Sequence, residues 1–336
     1  MDAITILGTG GIGCAIGHAL RSAGIPVTFI DADPAKIHWG QTNGVSIEGH
    51  RALPASFQPF DDWQPDPNEI TLLCTKCYDN AAVLSRIPAH AFLLPIQNGF
   101  DRELDTRQHP FEGIASFVSE CVPGRTHTRI TRNGSLHLGA RRTGTDAPTL
   151  ESDTRMRDLL TALQRHAPFR VEWAPEILTF KYTKLMYNAA IGPLAAAAGL
   201  DNGQLLSVPL ARRLFFELLR ENYSILRGAG IPLARIGLFH PDTVQRILRS
   251  RWVSRTMAWA FYPSLHGSYC SMSNDLPAGR TEIDYYIGHL LELANDRPCP
   301  LNRRLYELVK RMEQERIPPH RHVLERLLVE PAVSVG

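Results

Sequence analysis

No stretch of this chain is apolar for long enough to cross a bilayer. The longest mainly apolar run, Leu185 to Leu200, is broken by Asn188 and by Gly192-Pro193. It also falls short of the roughly 20 residues that a spanning helix needs. An excess of one charge is missing too. Lys and Arg number 36 against 34 Asp and Glu, so no field favours nucleic acid or an anionic membrane. The six cysteines lack regular spacing, which suits a reducing compartment. Cys74-Thr75-Lys76-Cys77 is formally a CxxC. A zinc site would need two more ligands at similar spacing, yet Cys121, Cys270 and Cys299 stand alone in the sequence. A redox pair would suit a strand-to-helix turn, but no thioredoxin-sized unit surrounds this one. The thirteen histidines show no metal spacing, His320-Arg321-His322 included, so no metal is expected. Internal repeats and low-complexity segments are absent. Met1-Asp2-Ala3-Ile4-Thr5 has no basic region ahead of its apolar residues, and the glycines from Gly8 to Gly13 interrupt the apolar stretch. A signal peptide is therefore not expected, and the expected location is cytoplasmic.

What is present fits a soluble globular protein. The 336 residues are 44% apolar and 21% charged, enough for two domains. Ala3 to Leu7 is a short apolar run ending in glycines, which reads as a buried parallel strand. Helical spacing runs from Gly11 to Ala23 and stops at Gly24; Val27 to Ile30 is a second apolar run ending at Asp31. That is a βαβ unit of the expected length. Ile70 to Cys74 and Phe92 to Ile96 read as further buried strands. The alternation toward Leu138 predicts a doubly wound α/β sheet. From about Trp173 helical periodicity takes over, near 176–198, 208–228, 241–262, 281–295 and 301–315. The domains are thus expected at 1–172 and 173–336, the second all-helical. The tail from Pro318 to Gly336 reads as partly mobile.

Gly8-Thr9-Gly10-Gly11-Ile12-Gly13 comes after a strand and opens a helix. In such a loop Gly8 permits the tight turn, Gly10 lets backbone approach a pyrophosphate, and Gly13 lets helix and strand pack closely. The helix N-terminus then offers unpaired N–H groups to the phosphates. Asp31, 18 positions after Gly13, stands where a carboxylate accepts bonds from the adenosine ribose; the alternative is a helix cap or a solvated turn acid. Lys76 and Gln97-Asn98-Gly99 come after two later strands, whose carboxyl ends line the crevice of a doubly wound sheet. An Asn-Gly there also serves as a plain turn. Lys184 and Asn188 are i and i+4 on one helix, with Lys181 near the same face. A buried lone ammonium is expensive, and a lysine at the helix edge with its head in water is the ordinary alternative. Thr281-Glu282-Ile283-Asp284 by itself reads as a helix start, with Thr281 as cap and Asp284 reaching back.

In this order and at these separations, the glycine loop, Lys184-Leu185-Met186-Tyr187-Asn188, and the pair Ser271-Met272-Ser273-Asn274-Asp275 and Gly279 to Asp284 resemble the ketopantoate reductase family from end to end. The resemblance implies a Rossmann-like N-terminal domain, a helical C-terminal domain, and an active site in the cleft between them. It implies reduction of a small 2-oxo acid to a 2-hydroxy acid by hydride transfer from NAD(P)H. Gly8, Gly10, Gly11, Gly13 and Asp31 would hold the cofactor, with Lys76 and Asn98 at its nicotinamide end. Lys184 would be the general acid, positioned and tuned by Glu282. Ser271, Asn188 and Asn98 would hold the substrate. Asp275 and Arg280 read as structural. The only expected partner is the small 2-oxo acid, with no nucleic acid and no membrane; a homodimer is left open.

Three positions depart from the family. Many members place a basic residue where this chain has Asp31, which points to NAD, with NADP the alternative. Gly192 and Ser268 stand where the family carries substrate-holding asparagines. Losing both removes polar contacts and enlarges the pocket, so the basis for preferring a substrate hydroxyl weakens. The runner-up within the enzymes resembles the NAD-dependent D-mandelate dehydrogenases. A reading of another class is a dinucleotide sensor without turnover, which would have no need of Lys184 and Glu282.

Overall fold

The computed structural model describes residues 3–107, 109–141, 148–249 and 267–328. It divides into two compact units, Met1–Lys181 and Tyr182–Gly336.

The first unit is built on a five-stranded parallel sheet in the order β4-β2-β1-β5-β6. β1 (Ile4–Leu7) pairs with β2 (Val27–Asp31) on one side and β5 (Ile70–Leu73) on the other. β4 (Ser56–Pro59) and β6 (Phe92–Pro95) form the edges. Every residue of β1 is buried, as a strand covered on both faces requires. Ile4 and Ile6 face one core with Phe29, Leu72 and Leu94, whereas Leu7 faces a second core with Ile30, Leu73 and Leu93. Each such aliphatic side chain contributes about 1.5–3 kcal/mol by leaving water. Helix α1 (Gly11–Ser22) lies against the first core through Cys14, Ala15, Ile16, Ala19 and Leu20. At Gly17 it approaches β2 so closely that a Cβ would fall 2.1 Å from the Phe29 ring. It ends at Gly24, whose φ of +78° turns the chain into β2. Asp33 caps α2 (Pro34–Asn43) by accepting from Ala35 N.

Past β6 the simple alternation ends. β7 (Phe111–Ala115) and β10 (Ser135–Ala140) pair antiparallel, and β11 (Arg170–Ala174) joins β10 in parallel. β8 (Val118–Cys121) and β9 (His127–Arg132) form a hairpin completed by Ser46–Ile47 (β3). The doubly wound sheet therefore stops at β6, and two small three-stranded sheets complete the unit. Helix α5 (Thr154–His166) buries Met156, Leu159, Leu160 and Leu163.

In the second unit every regular element among the described residues is a helix. α6 (Ile177–Ala198) begins in the first unit and carries Pro193 within it. Its apolar wall includes Leu185, Met186, Ala189 and Leu194. α7 (Asn202–Ser207) opens on a capping box between Asp201 and Gln204, and α8 (Pro209–Gly228) buries Leu214, Leu218, Asn222 and Leu226. Asn222 Nδ2 donates to Met186 O at 2.9 Å. Glu221 of α8 accepts from Leu301 N and Asn302 N, and so caps the helix Pro300–Glu315. The helix expected over 241–262 is seen as α9 (Pro241–Leu248); residues 250–266 lie outside the described ones. The tail is not loose throughout. Arg321–Leu327 forms a 3-10 helix burying Val323, Leu324 and Leu327, while 329–336 lie outside the described residues. Among the described residues no helix is long and apolar enough to cross a membrane.

Candidate active site

β1 hands the chain to Gly8, whose φ of +95° side chains rarely tolerate. A Cβ there would also stand 2.9 Å from Thr75 N, at the end of β5. Gly13 approaches Gly8 so closely that a Cβ would fall 2.0 Å from Gly8 O. These two glycines permit the turn and the packing. Gly11 faces elsewhere: its Cβ would lie 2.3 Å from Ser119 O, and Ser119 Oγ donates to Gly11 O at 2.9 Å. Gly10 alone is open, with nothing within 4 Å of the place a Cβ would take. It is the N-cap of α1, and no side chain caps that end. The first-turn N–H groups of a twelve-residue helix thus stand uncapped beside the open position at Gly10, which fits a pyrophosphate.

Asp31 turns toward the loop. Its Oδ2 accepts from Thr9 N at 2.7 Å and from Thr9 Oγ1, and its Oδ1 accepts from Asp33 N at 3.0 Å. Lys36 Nζ stands 3.8 Å from Oδ2. The acid supports the glycine loop and leaves the capping of α2 to Asp33. A carboxylate offers about four lone-pair directions, so capacity remains for ribose hydroxyls.

Lys76 and Asn98 are half-buried on the loops after β5 and β6. Two amides that the sequence reading does not single out clamp these loops together. Asn80 Nδ2 donates to Gln97 Oε1 at 3.1 Å and Gln97 Nε2 to Asn80 Oδ1 at 2.7 Å. Gln97 Nε2 also donates to Thr75 O at 3.0 Å, and Asn80 Nδ2 to Asp101 Oδ2 at 2.6 Å. Gln97 adjoins Asn98 in the chain, whereas no sequence pattern marks Asn80. In the CxxC, burial pushes the Cys74 thiol up to about 12, which leaves it a poor nucleophile.

The lysines of α6 separate by burial. Lys181 is buried, 2.8 Å from Glu112 Oε2 and over the Phe100 ring. Glu112 also meets His109 Nε2 at 2.8 Å and Arg141 Nη1 at 2.6 Å. Burial raises the Glu112 pKa, but Lys181, His109 and Arg141 together hold it far below the usual carboxylate range. Lys184 and Asn188, by contrast, are half-buried, one helical turn apart.

Glu282 is 4% exposed, and Tyr286 Oη lies 3.4 Å from its Oε2. At the expected helix start Thr281 Oγ1 does accept from Ile283 N at 3.2 Å, as a cap would, but the rest takes another form. Thr281 N donates to Glu313 Oε1, Asp284 accepts from Tyr306 and Lys310 instead of reaching back, and Asp284–Gly288 winds as a π-helix. Such turns are rare and are frequent at functional sites. Ser271 is exposed at the N-cap of Met272–Asp275, its hydroxyl not used as a cap. Cys270 Sγ donates to Gly192 O at 3.2 Å, which brings this segment onto α6. One further candidate carries no signal in the sequence. Asn202 Nδ2 reaches Ser268 Oγ at 3.4 Å, and its buried Oδ1 has no hydrogen-bond partner among the described residues.

Both halves of the chain match family models. Residues 4–143 match the ketopantoate reductase PanE/ApbA model, and residues 176–313 match the ketopantoate reductase PanE/ApbA C-terminal model. The chain belongs to the ketopantoate reductase family. It is a ketopantoate reductase-like, NAD(P)-dependent oxidoreductase. A 2-dehydropantoate 2-reductase of Halobacterium salinarum is 22% identical over 93% of this chain and 99% of its own. The PanE/ApbA family ketopantoate reductase of Ralstonia eutropha superposes with a TM-score of 0.71 at 20% identity, over 93% of this chain and 99% of that one. A D-mandelate dehydrogenase solved with NADH and anilino(oxo)acetate gives 0.73 at 19% identity, with the same coverage. These two structural likenesses are likenesses of fold.

Proposed function

We propose that this family member reduces a 2-oxo acid to the 2-hydroxy acid, with NADH preferred to NADPH. Residues 1–172 hold the cofactor and 173–336 the substrate. NAD(P)H supplies the hydride; the chain supplies everything else. Gly8, Gly10, Gly11 and Gly13 shape the pyrophosphate cradle, and Asp31 accepts from the ribose and disfavours a 2′-phosphate. Lys76 and Asn98 serve the nicotinamide end. Ser271, Asn188 and Asn98 hold the substrate. Lys184 gives its proton to the carbonyl oxygen as the alkoxide develops, and Glu282 positions and tunes it. The observation that carries this reading is Glu282, a carboxylate kept at 4% exposure. A buried carboxylate is costly, and a proton-transfer site gives it a purpose that a mere dinucleotide sensor lacks.

Gly192 and Ser268 favour a second reading of the substrate. Space stands open beyond Gly192 Cα, and Ser268 is short and buried. A substrate hydroxyl would lose one or two hydrogen bonds, each worth about 0.5–1.5 kcal/mol, or about tenfold in kcat/KM together. Asn202 restores part of this. A bulky apolar 2-oxo acid would lose nothing and would fill the space. The experiment is a comparison of kcat/KM for ketopantoate, a branched 2-oxo acid and benzoylformate with NADH. The bulkier acids should win. A clear win for ketopantoate would return the chain to the activity of its named relatives, and NADH binding without any turnover would favour the sensor.

A further inference from the structure

Two of the six thiols, far apart in the sequence, meet in space. Cys14, in the first turns of α1, and Cys121, at the end of β8, are 107 positions apart in the numbering, yet both reach one backbone oxygen. Cys14 Sγ donates to Thr9 O at 3.3 Å and Cys121 Sγ to the same oxygen at 3.4 Å. Two sulfurs that share one acceptor at these distances lie no more than 6.7 Å apart. Gly11 explains the meeting, because only a residue without a side chain lets α1 come this near to Ser119 of β8. Thr9 stands between Gly8 and Gly10 and is the residue that Asp31 grips.

We propose that Cys14 and Cys121 form a thiol pair oxidised by hydroperoxides, and that their disulfide weakens cofactor binding at the glycine loop. The inference rests on the reading of that loop as the cofactor site. Cys121 is half-buried and Cys14 fully buried, so Cys121 meets the oxidant. The Cys14 thiol beside it lowers the Cys121 pKa, with Lys36 helping and burial opposing; the neighbouring Cys121 and burial raise that of Cys14. The Cys121 thiolate attacks one peroxide oxygen: an S–O bond forms, the O–O bond breaks and hydroxide leaves. Cys14 sulfur then displaces the hydroxyl from Cys121 sulfur, an S–S bond forms, and the Cys14 proton departs with it as water. In sum, two thiols and one hydrogen peroxide give one disulfide and two waters. The disulfide has no S–H to give Thr9 O. It also draws α1 toward β8, where Gly11 already has no room, so the N–H groups of the cradle shift. By reciprocity, bound cofactor protects the thiols by the factor that oxidation weakens it. A tenfold loss corresponds to about 30 mV for this two-electron couple. Cys74 and Cys77 serve as the internal control.

The test titrates the full chain with NADH, reduced and after hydrogen peroxide, and maps unreduced peptides by mass spectrometry. A Cys14–Cys121 linked peptide should appear, the NADH Kd should rise about tenfold or more, and dithiothreitol should reverse both. Cys121→Ser and Cys14→Ser each keep a hydroxyl donor and cannot be linked, so peroxide should leave the Kd of each unchanged. A linked peptide with unaltered NADH affinity, no linked peptide, or a peroxide response that survives in both serine variants would each overturn the proposal. Failure of the reduced chain to bind NADH would instead overturn the reading of the loop.

Discussion

The loop from Gly8 to Gly13 and the helix from Ile177 to Ala198 present their chemistry by different means. On the proposed reading the loop works through backbone N–H groups, and side chains matter by their absence: Gly13 has no room for one and Gly10 leaves open space where one would stand. On the helix the proposed reading rests on charges, and the buried one has its partner far along the chain. Lys181 finds Glu112 69 positions away. The loop should therefore respond to added bulk and hardly to pH. The helix should respond to removed charge and strongly to pH.

The largest effect is expected from Glu112→Gln. It keeps the shape but leaves Lys181 and Arg141 without their buried counter-charge, a loss of about 3–5 kcal/mol at neutral pH. The sign with pH comes from the depressed Glu112 pKa. The carboxylate's contribution is fully present above its unfolded value of 4.5 and is lost as pH falls toward the folded value. Urea unfolding should show wild type and variant converging below about pH 4.5. A constant gap would mean that packing, not charge, anchors the helix.

Next comes a pair at the loop. Gly13→Ala forces a methyl against Gly8 O, overpacking that costs about 1–3 kcal/mol, so both stability and NADH affinity should fall. Gly10→Ala meets nothing in the protein, so it should leave the melting temperature alone while weakening NADH binding. Equal melting temperatures for the two variants would erase the distinction between packing glycine and cradle glycine.

The smallest effect belongs to Asp31→Asn. The amide still bonds Thr9 or Asp33 but surrenders the charge, at about 0.5–1.5 kcal/mol per weakened hydrogen bond. Lys36, 3.8 Å from the former carboxylate, is then unopposed. NADH affinity should fall several-fold and NADPH should gain relative to it. Unchanged cofactor preference in fluorescence titrations would show that Asp31 serves the loop alone.

The same contrast explains what could be read from the sequence. The βαβ unit and the turn at the glycine loop were legible because a parallel strand, a tight turn and a helix entry each demand a residue type at a fixed local offset; that Asp31 grips Thr9 was not. The long helices of the second unit were legible for the same reason. Asn80, Asn202 and the charge cluster of Glu112 were not, because their meaning lies in partners that only the fold supplies. Cys14 and Cys121 make the point in reverse: the local CxxC attracts the eye, yet two distant thiols meet. The turn at Asp284–Gly288 was hidden as well, since no residue type at a fixed offset marks π winding.

The central claim is that cofactor binding belongs to backbone at the glycine loop and proton transfer to the side chain of Lys184. Lys184→Ala tests it most directly, with kcat and the NADH Kd measured on the same preparation. The account predicts a fall in kcat of roughly 10²–10⁴-fold, the usual weight of a positioned acid, with Kd changed by no more than about twofold. A near-normal kcat, or a Kd that rises in step with the loss of kcat, would contradict it.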